Sequence, residues 1–232
     1  MRNQPIAALM RSDGNQSGER CAMTLSDHVV LIVDDDVRVR EALQLLLTAS
    51  DLCAVGFESA ADYIASPKPE VPACLILDVE LPDINGLELQ RRISQGYHPP
   101  IIFLTGHGDI PSSVRAIKAG ALDFLTKPFH ADELLKLVRS ALSQDRANRV
   151  RQADQARLQQ RFDSLTPRER EVLPLVVSGL LNKQAAARLG ISEITLQIHR
   201  TSVMRKMAAE SLPDLVRMAG DLEIPINLSR HS

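Results

Sequence analysis

Between Val29 and about Ser143 short apolar runs alternate with amphipathic stretches. The runs VVLIV (29–33), CAVGFE (53–58), ACLILD (73–78), PIIFLT (100–105) and DFLT (123–126) are too short for core helices and rich in branched side chains. Near-continuous apolar character of this kind predicts strands buried on both faces. After the first run, Leu43, Leu46 and Leu47 fall on one side of a helix to about Ser50. Further helices are expected around Ala60–Ala65, from Asn85 to Gln95, from about Pro111 to Ala119, and from near Ala131. Five strands alternating with five helices predict an α/β domain with a doubly wound parallel sheet covered on both faces.

The pattern then changes twice. Residues 140–163, SALSQDRANRVRQADQARLQQRFD, contain neither Gly nor Pro and favour helix, with few apolar positions. The fifth helix is therefore expected to continue into a largely solvated connector, mildly basic with five arginines against two aspartates over 144–161. Beyond Leu165 only short helical patterns remain. In TPRE, Thr166 is an expected N-cap, Pro167 the first helical residue and Glu169 the reciprocal member of a capping box. That helix should run to about Ser178, where Gly179 ends it. A second covers Asn182–Leu189 before Gly190, Ser192 caps a longer helix to about Ala208, and Ser211 caps a fourth. Helix, glycine turn and longer helix together form the helix-turn-helix signature. The expected layout is a disordered leader over 1–25, the sheet domain over 26–145, a helical linker over 146–162 and an all-α four-helix domain over 163–225.

Composition narrows the class. The chain has 232 residues, 44% apolar and 24% charged, with a formal net charge of −2. No global basic field advertises nucleic acid, so any such binding must be local. Cys21, Cys53 and Cys74 are widely spaced and odd in number, the pattern of reduced thiols in a cytoplasmic protein. No run approaches the length of a membrane span, and the leader lacks the apolar segment of a secretory signal.

The candidate chemistry lies at the strand ends. In an open parallel sheet, ligands bind beyond the carboxyl ends of the strands. There the sequence places Asp34 and Asp35, Asp78, Thr105 and Lys127. Three carboxylates, a hydroxyl and an ammonium suit a hard cation together with an anionic group. Mg2+ takes oxygen ligands and retains sites for water and phosphate oxygens. Without a cation the crowded carboxylates repel one another. Asp36 is expected to cap the helix that follows. A competing reading is a phosphohydrolase with an aspartyl-phosphate intermediate, since Asp78-Val79-Glu80 resembles an acidic D-x-D. Leu81-Pro82 and the Asp34-Asp35 pair do not suit that scheme.

Asp34-Asp35, Asp78 followed by LPDINGLEL, FLTGHGD and Lys127-Pro128-Phe129 occur in the order found in receiver domains of two-component response regulators, which this segment resembles over about 28–145. The resemblance implies a flavodoxin-like receiver in which Asp78 is the phosphoacceptor, supplied by a sensor histidine kinase. It implies that Asp34, Asp35, Asp78 and the backbone carbonyl of Glu80 hold Mg2+. Lys127 and Thr105 would meet the phosphoryl group, and Thr105 and Phe124 would form the switch pair. The Lys127-Pro128 bond is commonly cis in that family. In-line transfer to a carboxylate needs positioning and charge neutralisation more than acid–base groups.

In the expected helix 192–208, Leu196, Val203 and Met207 suit packing, while Ile194, Gln197, Ile198, Thr201 and Arg205 form a second stripe. In a major groove Ile can touch thymine methyls while Gln and Arg reach base edges. Asn182, Lys183, His199, Arg200 and Lys206 complete the candidate DNA contacts, several of them as phosphate partners. The run LTPREREVLPLVVSGLLNKQAAARLGISEITLQIHRTSVMRKM resembles the LuxR/FixJ-type, NarL-like helix-turn-helix of bacterial transcription regulators. It departs from that pattern at Leu181, Ala185 and Gln197. Residues 163–232 carry nine Lys/Arg against eight Asp/Glu, so a monomer should bind double-stranded DNA weakly. The two resemblances imply a non-enzymatic transcription regulator that dimerises on phosphorylation, through a surface around the fourth helix and fifth strand. Activation, with RNA polymerase as a further partner, is the expected output.

Overall fold

The computed structural model describes residues 27–94, 96–106 and 120–225. The expected leader and the helix expected over 111–119 lie outside them. The chain divides into two compact units between Arg149 and Val150.

The first unit is built on a five-stranded parallel sheet in the order β2-β1-β3-β4-β5. Its strands are β1 (Val29–Val33), β2 (Ala54–Phe57), β3 (Ala73–Asp78), β4 (Ile101–Thr105) and β5 (Asp123–Thr126). Every residue of β1, β3 and β4 is buried, which is why these strands read as unbroken apolar runs. Period-two alternation separates their side chains into two cores. Val29, Leu31, Leu75, Leu77 and Phe103 pack with Ala60 of helix α2 (Ala60–Ala65) and Leu89 of α3 (Gly86–Ile93). Val30, Ile32, Ile76, Ile102 and Leu104 pack with Leu43 and Leu47 of α1 (Val37–Thr48) and Leu134 and Val138 of α4 (Ala131–Asp163). The sheet is thus doubly wound. Caps fix the helix starts: Asp36, Ser59 and Asn85 accept from the backbone N–H of Arg38, Asp62 and Leu87.

One expectation about the thiols fails. Cys74 is a buried free thiol, but Cys53 is disulfide-bonded. Spacing and an odd count carry no information about which thiols meet in space.

Helix α4 is unbroken through 33 residues and passes through the division between the units. Most side chains over 146–162 are exposed, as expected of a connector, but Leu158 and Phe162 join the core of the second unit. That core is completed by α5 (Pro167–Val177), α6 (Asn182–Leu189), α7 (Glu193–Met207) and α8 (Leu212–Asp221). Thr166 and Glu169 form the expected capping box. Gly190 ends α6 with φ +65°, the left-handed conformation that allows the tight turn into α7. No helix among the described residues is long and apolar enough to cross a membrane.

Candidate functional site

Strand register brings the predicted carboxylates together. Val33 pairs with Leu77, so Asp34 and Asp78 emerge side by side at the ends of β1 and β3. Asp78 pairs with Leu104, so Thr105 follows beside it; Thr105 pairs with Thr126, so Lys127 comes next. Four adjacent strands thus deliver one row of functional groups to the carboxyl edge of the sheet. Carboxylate oxygens of Asp34, Asp35 and Asp78 all lie within 4.8 Å of one another. Asp34 and Asp78 are buried and Asp35 is exposed.

The Lys127 ammonium donates to Asp34 Oδ2 and to Asp78 Oδ2, each at 2.7 Å. Burial lifts the Asp34 carboxyl above its ordinary range, against the opposing pull of the Lys127 hydrogen bond. Burial works to lower the Lys127 ammonium, but the hydrogen bonds to Asp34 and Asp78 overcome it and raise the group. The backbone N–H of Asp36 and of Glu80 donates to Asp34 Oδ1 and Asp78 Oδ1, at 3.0 and 3.1 Å, fixing both carboxylates. Thr105 is buried, and its carbonyl accepts from Lys127 N at 2.7 Å. Phe124 is half-buried on β5, opposite Phe103 in register and packed against the same core. The Lys127-Pro128 bond is cis.

An all-oxygen donor set, partly buried and partly open, suits a hard cation such as Mg2+ that keeps other positions for water or phosphate oxygens. The side chain of Glu80 is exposed, and its backbone N–H ties it to Asp78.

Two supporting residues escaped the sequence reading. Arg40, one turn into α1, donates to the carbonyls of Asp34 and Asp35 at 2.7 and 2.9 Å, pinning the acidic loop. Gly86 opens α3 against the site: a Cβ there would lie 2.3 Å from the Asp78 carbonyl oxygen. Its N–H donates to Val79 O at 2.9 Å.

The second unit carries the other candidate surface. On α7, Leu196, Val203 and Met207 are buried, while Ile194 and Ile198 are 76% and 62% exposed. Gln197, Thr201 and Arg205 are exposed on the same stripe, and Lys183 is exposed at the start of α6. Asn182 bridges the two helices: its Nδ2 donates to Gln197 Oε1 at 2.6 Å, and its Oδ1 accepts from Arg200 at 2.9 Å. His199 and Arg200 are half-buried. Lys206 does not reach this surface. Its ammonium is bonded to the buried Glu169 carboxylate at 2.7 Å and to Ser164 O at 3.2 Å. A helix start that must neutralise a buried capping glutamate draws the nearest cation inward.

A receiver sheet joined to a helix-turn-helix is the architecture of a transcription-regulating response regulator. Residues 30–139 match the response regulator receiver domain and 163–219 match the luxR family of bacterial regulatory proteins. The chain belongs to the response regulators that join these two domains. It is 48% identical over 200 residues to Nodulation protein W of Bradyrhizobium diazoefficiens, covering 86% of this chain and 88% of that one. It is 45% identical to response regulator protein TodT of Pseudomonas putida, over 84% and 86% of the two chains. Among solved structures, response regulator StyR superposes with a TM-score of 0.74 at 42% identity, covering 84% of this chain and 99% of that one.

Proposed function

We propose that Asp78 accepts a phosphoryl group from a sensor histidine kinase and that the aspartyl phosphate controls sequence-specific DNA binding. The observation that carries this reading is the Lys127 ammonium held 2.7 Å from both Asp34 and Asp78 within a three-carboxylate cluster. In the transfer a bond forms from an Asp78 carboxylate oxygen to phosphorus as the bond to the donor's histidine nitrogen breaks. Lys127 neutralises charge on the incoming oxygens, and the Thr105 hydroxyl donates to the phosphoryl group. Mg2+, held by Asp34, Asp35, Asp78 and the Glu80 carbonyl, supplies further charge neutralisation when bound.

Thr105 and Phe124 act as the switch pair. The changed β5 surface then favours a homodimer, which brings two α7 helices to two half-sites and recovers the affinity a weakly basic monomer lacks. Ile194, Gln197, Ile198, Thr201 and Arg205 face the groove, while Asn182, Lys183, His199 and Arg200 hold the backbone side. The Asn182 bridge supports this reading because it presets Gln197 and Arg200 before DNA arrives. Transcriptional activation through RNA polymerase, in the cytoplasm, is the output we infer.

Labelling with acetyl phosphate and Mg2+ tests the acceptor: the wild type should be labelled and Asp78→Asn should not. Sedimentation velocity with beryllofluoride should show a monomer-to-dimer shift that Asp78→Asn loses. Label on Asp78→Asn would refute the acceptor assignment. Site-specific DNA retention that survives Gln197→Ala with Ile198→Ala would refute the groove-facing stripe.

A further inference from the structure

At the other end of the sheet, where β3 and β4 begin, the first unit holds a cavity of about 530 Å³. Its walls come from the end of α2 and the segment after it (Tyr63, Ile64, Lys68, Pro69), from the end of α3 (Ile93), and from Tyr97. The size lies within the range of small-molecule sites, which are apolar clefts with a few polar groups that fix orientation. Among the described residues no acidic side chain lines it, whereas Lys68, Arg92 and His98 do. Arg92 is committed to Glu88 at 3.4 Å. Lys68 has no carboxylate partner among the described residues; its Nζ meets only the Tyr97 carbonyl, at 3.4 Å. An apolar pocket with two tyrosine rings in its wall and an ammonium that lacks a carboxylate partner among the described residues is complementary to an aromatic anion.

We propose that this cavity binds a small aromatic anion, and that the site gives the receiver a second input remote from Asp78. Two of its wall residues are tied to α4. The Tyr97 hydroxyl donates to Asp145, a fully buried carboxylate on α4. Asp145 also accepts from Ala73 N and from Arg149 Nε, each at 2.8 Å. Arg149 in turn lies 4.8 Å from the centre of the Tyr97 ring and donates to Pro69 O at 2.9 Å. A ligand resting on Tyr97 and Pro69 therefore touches two residues bonded to Asp145 and Arg149 of α4, and Asp145 is also bonded to the first residue of β3; α4 is the helix that continues out of this unit. Occupancy biases the state of α4 to the extent that the ligand prefers one position of Tyr97 over another.

The full-length protein should be titrated with 1-anilinonaphthalene-8-sulfonate and, separately, with N-phenyl-1-naphthylamine, the same aryl body without the sulfonate. Saturable fluorescence at one site per chain is expected, with the neutral probe weaker. Lys68→Met should weaken the anionic probe about fivefold, the scale of one exposed ion pair, and leave the neutral probe unchanged. Ile64→Glu, which places a carboxylate at the exposed rim, should abolish binding of the anion. Both side chains are exposed, and thermal melts matching the wild type exclude the dye uptake shown by loosely packed states. On saturation, amide exchange over 143–149 should slow, and Tyr97→Phe should remove that slowing while retaining the dye. Absent saturable binding, or dye binding that both rim variants leave intact, overturns the site. Unchanged exchange in the wild type overturns its link to α4.

Discussion

Replacing Asp35 by Asn removes one charge from a cluster whose carboxylate oxygens all lie within 4.8 Å of one another. Asp35 is exposed, so the dielectric of water is the right starting point. Its repulsion with each of Asp34 and Asp78 is then about 0.9 kcal/mol. Physiological salt, with a screening length of about 8 Å, roughly halves this. The Lys127 ammonium, bonded to both Asp34 and Asp78, offsets about one of the two pairs and leaves roughly 0.5 kcal/mol unfavourable to the folded state. Asp35→Asn should therefore stabilise the metal-free protein by roughly 0.5 kcal/mol. Magnesium should reverse the ranking. At ten times its dissociation constant an ion that binds only the folded state adds about 1.4 kcal/mol by mass action, and the variant should lose most of that gain. Urea unfolding followed by far-UV circular dichroism, with and without Mg2+, reads both effects; the chain has no Trp. A variant less stable than wild type without metal, or one that keeps the full magnesium increment, would refute the repulsion argument.

Gly86→Ala should destabilise the receiver by about 1–3 kcal/mol, the usual range for forcing an atom into a packed site, because its Cβ would press on the Asp78 carbonyl; it should also slow labelling by acetyl phosphate, and a wild-type rate would show that the close approach does not position Asp78. Burial works to raise the Glu169 carboxyl, but hydrogen bonds from Lys206 and Thr166 overcome it and hold the group below its ordinary 4.5. The stabilisation is thus complete above the unfolded value and is lost as pH falls through the lower folded value. Glu169→Gln should cost about 1–3 kcal/mol at pH 7 and flatten the acid limb of the stability curve; parallel curves for the two proteins would refute the ion pair's part in it. Ala208 closes α7 with φ +54°, so Ala208→Gly should raise thermal stability by about 1 kcal/mol, and a lower melting temperature would contradict that account.

Much of this protein is legible in one dimension. The apolar runs marked five strands, and β1, β3 and β5 fall on the residues expected; β1, β3 and β4, buried on both faces, leave no alternation to misread, whereas the edge strands β2 and β5 are only partly buried. Caps were equally readable, since Asp36, Thr166, Ser192 and Ser211 bond backbone groups two or three residues away. The carboxylate row was legible because parallel topology sends every strand end to the same edge. Groups that act through contacts distant in sequence were not. Lys206 looked like a phosphate ligand until Glu169, 37 residues earlier, drew it inward. Asp145 read as one more solvated linker aspartate, yet it is buried under Tyr97 and Ala73. Gly86 gave no sign of its approach to Asp78. Periodicity and caps are short-range properties, so the sequence by itself determined the elements and their order. Which side chains meet across 37, 48 or 72 residues depends on how helices settle on the sheet and on one another, and only the packed tertiary structure decides that.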